Sequence, residues 1–223
     1  MANEGIRKMK IANQYNHLNG LEFLIVNKTK LWQEIQDAIF AIDANKFLKK
    51  SKDKTKTGKT IYSQKLLNKE FEKILNPLGW TSQKIPYYVT SDLAVARDIS
   101  QMRDKKEQAA YIASKGLEPL ATNNQVDFVK DRVAVEVQFG KYFSVAYDLH
   151  VKHTFFYLRD DIDVGIEIIP TREMMRRMDT GVAWFENEVA NVIREGRSNP
   201  TVPLVIIGIE PNDLIELPRR KSK

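Results

Sequence analysis

The chain has 223 residues, of which 43% are hydrophobic and none is cysteine. That content supports a buried core and excludes both disulfides and thiolate-bound zinc. No apolar run reaches the roughly 20 residues of a membrane helix, and the polar start of the chain lacks the apolar stretch of a signal peptide. The net charge of +6 favours a polyanionic partner only weakly, because a merely basic surface explains it equally well.

The first half of the chain is predicted to be largely helical. Residues 28–48 form an amphipathic helix, and a second helix begins at about Ser63 as N-cap and ends before Asn76. Residues 92–116 are predicted to be helical up to Gly116. The first of these helices has apolar side chains at helical spacing: Leu31, Ile35, Ile39 and Ile42.

The second half has the pattern of a sheet with a crossover. Residues 163–169 and 202–209 are predicted strands, and the second is almost entirely apolar, which is typical of a central strand. Between them, residues 182–195 are predicted to form a helix that ends at Gly196. We therefore expect one α/β domain over residues 1–223, with a mixed central sheet flanked by helices.

Lysine and arginine are concentrated in two segments. A basic loop at about 49–60 contains six lysines, and a basic tail spans 217–223. The loop is interpreted as a mobile segment beside a phosphate backbone, although a solvated surface remains open as an explanation. Within it, Thr55–Thr60 reads TKTGKT but lacks the earlier glycine and the preceding strand of a P-loop, so no use of ATP is expected.

A hairpin is predicted in the middle of the chain. Residues 125–129 and 132–139 are β-branched and alternate in polarity, and the two-residue break Lys130-Asp131 indicates a tight turn. Because side chains alternate along a strand, the second strand has one face that can be buried. That face carries Val133, Val135, Val137 and Phe139.

The opposite face of the same strand carries the candidate chemistry. Glu136 and Gln138 lie side by side on it, and Asp127 lies nine residues before Glu136 on the preceding strand. Two carboxylates brought together repel each other unless a hard cation such as Mg²⁺ lies between them. The spacing matches the nuclease signature (P)D…(D/E)-x-K, whose third position is Gln or Glu in some members. On spacing alone this match is weak.

In such a site the carboxylates hold Mg²⁺, which polarises the scissile phosphate and activates a bound water. Gln138 cannot act as a general base at neutral pH, so we expect it to position the water. The backbone carbonyl of Val137 points toward the same region and is a further candidate metal ligand. His150 and His153, with Asp148 nearby, do not have the spacing of a zinc site, and a structural or DNA-facing role is favoured for them.

Long segments of the chain resemble the BstYI/BglII family of type II restriction endonucleases, and its BstYI branch most closely. The resemblance covers about residues 15–210 in order, with few gaps. It is carried by the segments 16–23 (NHLNGLEF), 31–36 (LWQEIQ), 87–92 (YYVTSD), 125–152, 162–170 (IDVGIEIIP), 191–197 (NVIREGR) and 203–209 (PLVIIGI).

The resemblance implies a PD-(D/E)xK restriction-endonuclease-like core in a prokaryotic, cytoplasmic homodimer. Asp127, Glu136 and Gln138 correspond to the catalytic residues, and Asp127, Glu136 and the Val137 carbonyl to the ligands of Mg²⁺, for which Mn²⁺ can substitute. The implied reaction is cleavage of double-stranded DNA at a palindrome centred on GATC, RGATCY-like or a related six-base site. The products carry 5′-phosphates and 5′ overhangs.

The same resemblance places the DNA-reading positions at Gly140, Lys141, Asp179 and Thr180. Lys141 can donate to guanine in the major groove, and Thr180 can contact a base edge or a thymine methyl. Thr180 can also be the N-cap of a helix beginning near Gly181, and the two roles are compatible. Two other functions remain open: a DNA-binding protein that has lost cleavage, and a repair or transposition nuclease with the same core.

Overall fold

The structure is a computed structural model that describes residues 8–217. The chain divides into two compact units: a core unit, made of the residues up to 81 and from 127, and an inserted unit, Ser82–Val126. The cationic residues of the predicted tail, Arg219 to Lys223, lie outside the described residues. No helix of the described range is long and apolar enough to cross a membrane.

The strands and helices alternate along the chain. The strands are β1 (Met9–His17), β2 (Leu48–Lys50), β3 (Thr60–Tyr62), β4 (Thr81–Val89), β5 (Leu120–Lys130), β6 (Val133–Val137), β7 (Val164–Pro170) and β8 (Leu204–Pro211). The α-helices are α1 (Gly20–Asn27), α2 (Thr29–Ala41), α3 (Gln64–Leu75), α4 (Leu93–Ser100), α5 (Lys105–Ser114), α6 (Tyr142–Tyr147), α7 (Thr154–Leu158), α8 (Arg172–Met175) and α9 (Phe185–Glu195). A π-helical turn, Asp148–His153, joins α6 to α7.

The core unit is built on a mixed sheet, as predicted. Its strand order is β1-β8-β7-β6-β5, in which β6, β7 and β8 are parallel while β1 and β5 run antiparallel to their neighbours. Every residue of β6 and β7 is buried. Strands covered on both faces are expected to be rich in Val and Ile throughout, which explains the apolar runs in the sequence. The second, two-stranded sheet pairs β2 with β3.

The predicted hairpin is present, with its turn one residue later than expected. β5 pairs with β6 in antiparallel register from Phe128↔Val135 to Lys130↔Val133, and the turn is Asp131-Arg132. Both turn residues have positive φ, 44° and 66°, which suits the twist of a two-residue hairpin. Arg132 is held outside the sheet by the Asp163 carboxylate, to which its Nε donates at 3.0 Å.

Helix boundaries differ from the predictions where polar groups interrupt the apolar pattern. The helix expected over 28–48 ends at Ala41, and residues 48–50 form β2. The helix expected over 182–195 starts only at Phe185, since Val182 is paired in an isolated bridge with Lys141. The second predicted helix agrees with α3, whose N-cap position is Ser63 although that side chain makes no capping hydrogen bond.

The inserted unit has two helices where one was predicted. Asp92 caps α4 and Asp104 caps α5, each accepting hydrogen bonds from two backbone N–H groups of the first turn. A second strong N-cap inside the predicted helix therefore divides it. Val95, Ile99 and Ile112 form the small apolar core of this unit.

Candidate active site

The hairpin register places the two predicted carboxylates opposite each other. Extending this register by one position beyond Phe128↔Val135 puts Asp127 opposite Glu136, on the same face of neighbouring strands, and the Asp127 charge acts on the Glu136 carboxyl. The Val137 N–H donates to Asp127 Oδ2 at 3.4 Å. Glu136 is only 1% exposed, whereas Asp127 is partly accessible.

The backbone of Val137 faces Asp127 as the sequence predicts. Within a strand, the N–H and C=O of one residue point to the same side, and those of the next residue point to the other. The Val137 N–H points toward Asp127, while the Gln138 N–H donates to Ile168 O on β7 at 2.9 Å. The Val137 carbonyl is therefore directed to the side on which Asp127 lies.

Gln138 is held at both ends of its amide. Its Oε1 accepts from the Gly140 N–H at 2.7 Å, and its Nε2 donates to Asp148 Oδ2 at 3.0 Å. Gly140 is required for this arrangement because a Cβ there would overlap Gln138 Oε1. These hydrogen bonds fix the orientation of the Gln138 amide.

The face that carries Glu136 was predicted to be polar, and the structure shows that it is buried. The π-helical turn places Asp148 and Lys152 against it, with Lys152 Nζ 3.0 Å from Glu136 Oε1 and 2.7 Å from Asp148 Oδ1. The Asp148 side chain is 1% exposed and that of Lys152 19%. A covering helical segment thus encloses the carboxylates and leaves the lysine at the rim.

A third carboxylate continues the row across the sheet. Glu167 on β7 is the register partner of Glu136, and it is completely buried. His153, also completely buried, approaches Glu167 Oε2 with Nε2 at 3.4 Å, while Glu167 Oε1 and His153 Nδ1 have no hydrogen-bond partner. A Cβ on Gly165 would lie 2.6 Å from His153 Nδ1, so glycine at this position allows the π-helical turn to pack on the sheet.

Burial and mutual repulsion dominate the electrostatics of the site. Burial raises the pKa of Glu136 well above its ordinary value, and the charges of Asp127 and Asp148 add to this. Burial alone would lower the pKa of Lys152, but the Glu136 and Asp148 carboxylates outweigh it and raise that pKa. The pKa of His153 is lowered to about 3 by burial and by Lys152, so its imidazole is neutral.

The donors that face each other suit a hard divalent cation. Asp127, Glu136 and the Val137 carbonyl offer oxygen ligands, and Mg²⁺ is commonly bound through one or two carboxylates with water and phosphate completing its shell. Among residues 8–217, no three His, Cys, Asp or Glu side chains group as a complete metal site. His153 is buried in the core beside Glu167, and His150 Nε2 lies 3.2 Å from Glu195 Oε2.

The model of the BglII/BglIII restriction endonuclease family matches residues 12–209 of this chain. The chain belongs to this family. The family prediction is thereby confirmed, and the protein is a type II site-specific deoxyribonuclease. Restriction endonucleases generally use a divalent metal. No curated protein sequence matches the chain.

Two solved structures of BglII share the fold of this endonuclease. The crystal structure of BglII complexed with a DNA 16-mer matches with a TM-score of 0.57 at 18% identity, over 90% of this chain and 75% of that one. Free BglII matches with a TM-score of 0.53 at 16% identity, over 94% and 82%. At such identities the likeness establishes the restriction-endonuclease fold.

The endonuclease brings its two predicted DNA-reading segments together. The Tyr142 N–H donates to Gly181 O at 2.9 Å and the Ala183 N–H to Gly140 O at 3.3 Å, so Gly140-Lys141 and Asp179-Thr180 lie in adjoining stretches of backbone. The Lys141 and Thr180 side chains are both exposed. Thr180 is not the N-cap of α9, which starts at Phe185. Its hydroxyl and its N–H both bond to Asp53.

The basic loop connects β2 to β3 in this endonuclease and is hydrogen-bonded to the segment that carries Thr180. Lys49 Nζ and Ser51 Oγ donate to the two oxygens of Asp179 at 2.5 and 3.0 Å. Lys56 Nζ donates to Met178 O at 2.5 Å. Two of the six lysines are therefore engaged by the segment that carries Thr180. A role of the loop in phosphate contact stays a prediction.

Sequence reasoning missed three polar residues of the site as partners: Asp148, Lys152 and Glu167. One signal was available for Glu167, because a lone glutamate in the apolar strand VGIEIIP has no solvated face to occupy. Asp148 and Lys152 stand four residues apart on a helical segment, but nothing in that spacing identifies Glu136 as their common neighbour.

Proposed function

We propose that the endonuclease hydrolyses double-stranded DNA with Mg²⁺, or with Mn²⁺ in its place, at a palindrome centred on GATC. The site is RGATCY-like or a related six-base sequence, and the products carry 5′-phosphates and 5′ overhangs. The carrying observation is the cross-strand pair Asp127 and Glu136 in a chain of the BglII/BglIII family. Double-stranded DNA as partner is further supported by the DNA 16-mer bound to BglII.

Asp127, Glu136 and the Val137 carbonyl would hold the metal. When bound, a divalent ion polarises the scissile phosphate and makes its coordinated water more acidic. Glu136 is assigned as the second metal ligand rather than as a free base. Burial and the charges of Asp127 and Asp148 raise its pKa, so a cation bound beside it would favour the ionised carboxylate. The contribution of the protein at this point is therefore to place two carboxylates and one carbonyl where they can hold the metal.

Gln138 would orient the attacking water. A neutral amide cannot accept a proton at physiological pH, so the proton of the attacking water would have to pass to a phosphate oxygen or to solvent. The two hydrogen bonds to Gly140 and Asp148 limit the movement of the amide. Fixed orientation is what a positioning residue contributes to the rate.

Gly140, Lys141, Asp179 and Thr180 are proposed to read the DNA sequence. Lys141 is exposed at the start of α6, and its ammonium can donate to guanine O6 or N7. Thr180 is exposed on the adjoining stretch, while Asp179 is held by Lys49 and Ser51. Asp179 therefore also holds the segment in place, and the exposed side chains of Lys141 and Thr180 are the ones proposed to contact base edges.

A palindrome calls for a two-fold homodimer, and one exposed apolar face fits that role. The apolar side chains of the amphipathic helix α2 lie mostly in the core. An exposed stripe instead follows the outer side of α6, the π-helical turn and α7. It consists of Phe143 (60% exposed), Tyr147 (45%), Val151 (39%) and Leu158 (70%).

The proposal is tested by digesting plasmid DNA with the purified protein and Mg²⁺ and sequencing the fragment ends. Defined cuts at sites containing GATC are expected, and they should disappear with EDTA and with Asp127→Ala. Retarded DNA without cuts would indicate a binding protein that has lost cleavage. Cuts without sequence preference would instead indicate a repair-type nuclease, and either result would overturn the proposal.

A further inference from the structure

Position 138 carries an amide where the nuclease signature most often has a lysine. The amide oxygen and nitrogen each make one hydrogen bond, to the Gly140 N–H at 2.7 Å and to Asp148 at 3.0 Å. Gln138 therefore brings no positive charge to Glu136. Phosphodiester hydrolysis develops negative charge on the phosphate oxygens, and fixed cations near those oxygens stabilise the transition state.

Lys152 brings a positive charge to the same place from another element. Its Nζ lies 3.0 Å from Glu136 Oε1 and 2.7 Å from Asp148 Oδ1. An ammonium has three N–H donors, and these two contacts use two of them. With its side chain 19% exposed, Lys152 is the solvent-facing member of a group whose two carboxylates are almost completely buried.

We propose that Lys152 is a catalytic residue that supplies the ammonium missing from position 138. Glu136 and Asp148 hold its Nζ in place, and the third N–H donates to an oxygen of the scissile phosphate or to the attacking water. Lys152 stays protonated throughout and transfers no proton. This inference rests on the proposed function, since it assigns a further residue to that same reaction.

A purely structural role for Lys152 is the competing explanation. An ammonium between Glu136 and Asp148 also neutralises two buried acids, and removing one partner of a buried pair destabilises a protein strongly. Loss of activity in Lys152→Met alone therefore does not separate the two roles. The two roles are separated by removing the Asp148 charge at the same time. The double variant K152M/D148N contains neither member of the Lys152–Asp148 ion pair, so no buried Asp148 charge is left without its partner.

The experiment compares Asp148→Asn with K152M/D148N, and includes Lys152→Arg and the wild type. Cleavage by the double variant should be at least about 100-fold slower than by Asp148→Asn. Its melting temperature should remain close to that of Asp148→Asn, and Lys152→Arg should retain more activity than the double variant. Lys65→Met, which removes an exposed lysine on α3, should leave cleavage unchanged.

A second measurement shows whether the loss occurs through the metal ligands. Mn²⁺ binding without DNA, measured by calorimetry, should be retained in K152M/D148N within about tenfold of the wild type. Cleavage equal to that of Asp148→Asn, or loss of Mn²⁺ binding, would overturn the inference while leaving the proposed function intact. A wild-type protein that does not cut DNA would overturn the proposed function itself, and the inference with it.

Discussion

Asp53 accepts two hydrogen bonds from Thr180, one from its backbone N–H at 3.0 Å and one from its hydroxyl. The hydroxyl bond in particular, together with backbone N–H groups, lowers the pKa of Asp53, so the carboxylate is ionised. The hairpin of β2 and β3 therefore holds a residue that is proposed to face DNA. On DNA, Thr180 must either contact a base while it stays bonded to Asp53, or release Asp53 and take a base edge as its new hydrogen-bond partner.

Asp53→Ala should weaken discrimination at the outer base pair of the site. Without the carboxylate, Thr180 loses its partner and adopts several orientations, so a wrong outer pair is rejected less strongly. We expect the ratio of cleavage rates for right and wrong outer pairs to fall about tenfold or more. Lys54→Gln, at the exposed neighbouring position, is the matched control. An unchanged ratio in Asp53→Ala would contradict the role given to this pair.

Lys141→Ala should weaken binding to the cognate site far more than binding to unrelated DNA. A lysine that donates to guanine contributes about 1–3 kcal/mol of discrimination, whereas a phosphate contact weakens all sequences equally. The measurement is equilibrium binding of cognate and scrambled duplexes in Ca²⁺, which prevents cleavage. Equal losses on the two duplexes would reassign Lys141 to the phosphate backbone.

Gly140→Ala should displace Gln138. The new Cβ would overlap Gln138 Oε1, and because that oxygen is at the end of a flexible side chain, the amide swings away. Two hydrogen bonds are then lost, for about 1–3 kcal/mol of stability. Cleavage should fall as far as in Gln138→Ala.

A double-mutant cycle checks this cause for Gly140→Ala. In a Gln138→Ala background the clash has no partner, so adding Gly140→Ala should change neither melting temperature nor cleavage rate. An effect as large as in the wild type would mean that Gly140 is needed for the backbone conformation instead.

The metal-free protein should lose stability through Glu167 as the pH rises above the ordinary glutamate pKa of 4.5, and Glu167→Gln should reduce that loss. Burial raises the folded pKa of Glu167 well above its ordinary 4.5, with Asp148 and Glu136 adding to the effect. Between those two pKa values the unfolded chain has released a proton that the folded chain keeps. Stability then falls with rising pH, by at most about 1.4 kcal/mol per pH unit for one proton.

Thermal melts in EDTA measure this slope for Glu167 from pH 4.5 upward, and separately above pH 6.5. The range matters because His153 acts in the opposite sense: its pKa of about 3 makes stability rise with pH only up to its ordinary value of 6.5. Glu72→Gln, on the exposed side of α3, should leave the slope unchanged. Parallel slopes for the wild type and Glu167→Gln would show that Glu167 is already ionised in the folded protein.

Phe143→Glu and Tyr147→Glu should dissociate the proposed dimer. A charge in the middle of an apolar interface is desolvated without a partner, so the dimer dissociation constant should rise tenfold or more by a conservative estimate of about 1.4 kcal/mol. Sedimentation equilibrium gives the constant. Val26→Glu, at a 76% exposed apolar position on α1, is the control. A wild-type monomer, or variants that stay dimeric, would remove this stripe from the interface.

Local patterns in the sequence predicted the hairpin and the approach of Asp127 to Glu136. Alternation along 132–139 placed Glu136 on the face opposite the buried valines, and a two-residue turn brought Asp127 to it. Such features follow from period and turn chemistry, which depend on neighbouring residues. The same local reasoning located the turn one residue early and missed the second N-cap, Asp104, because capping competes with helix continuation within a few residues.

The residues that surround Asp127 and Glu136 come from distant parts of the chain and depend on tertiary packing. Lys152 reaches Glu136 from a helical segment 16 residues later, and Glu167 lies beside it through the parallel register of β6 and β7. Asp53 meets Thr180 across 127 residues of sequence. Contacts between distant segments depend on how elements pack, and no periodicity in the sequence records packing. The carboxylates could therefore be found from the chain alone, whereas their counter-ion and the support of the reading segment could not.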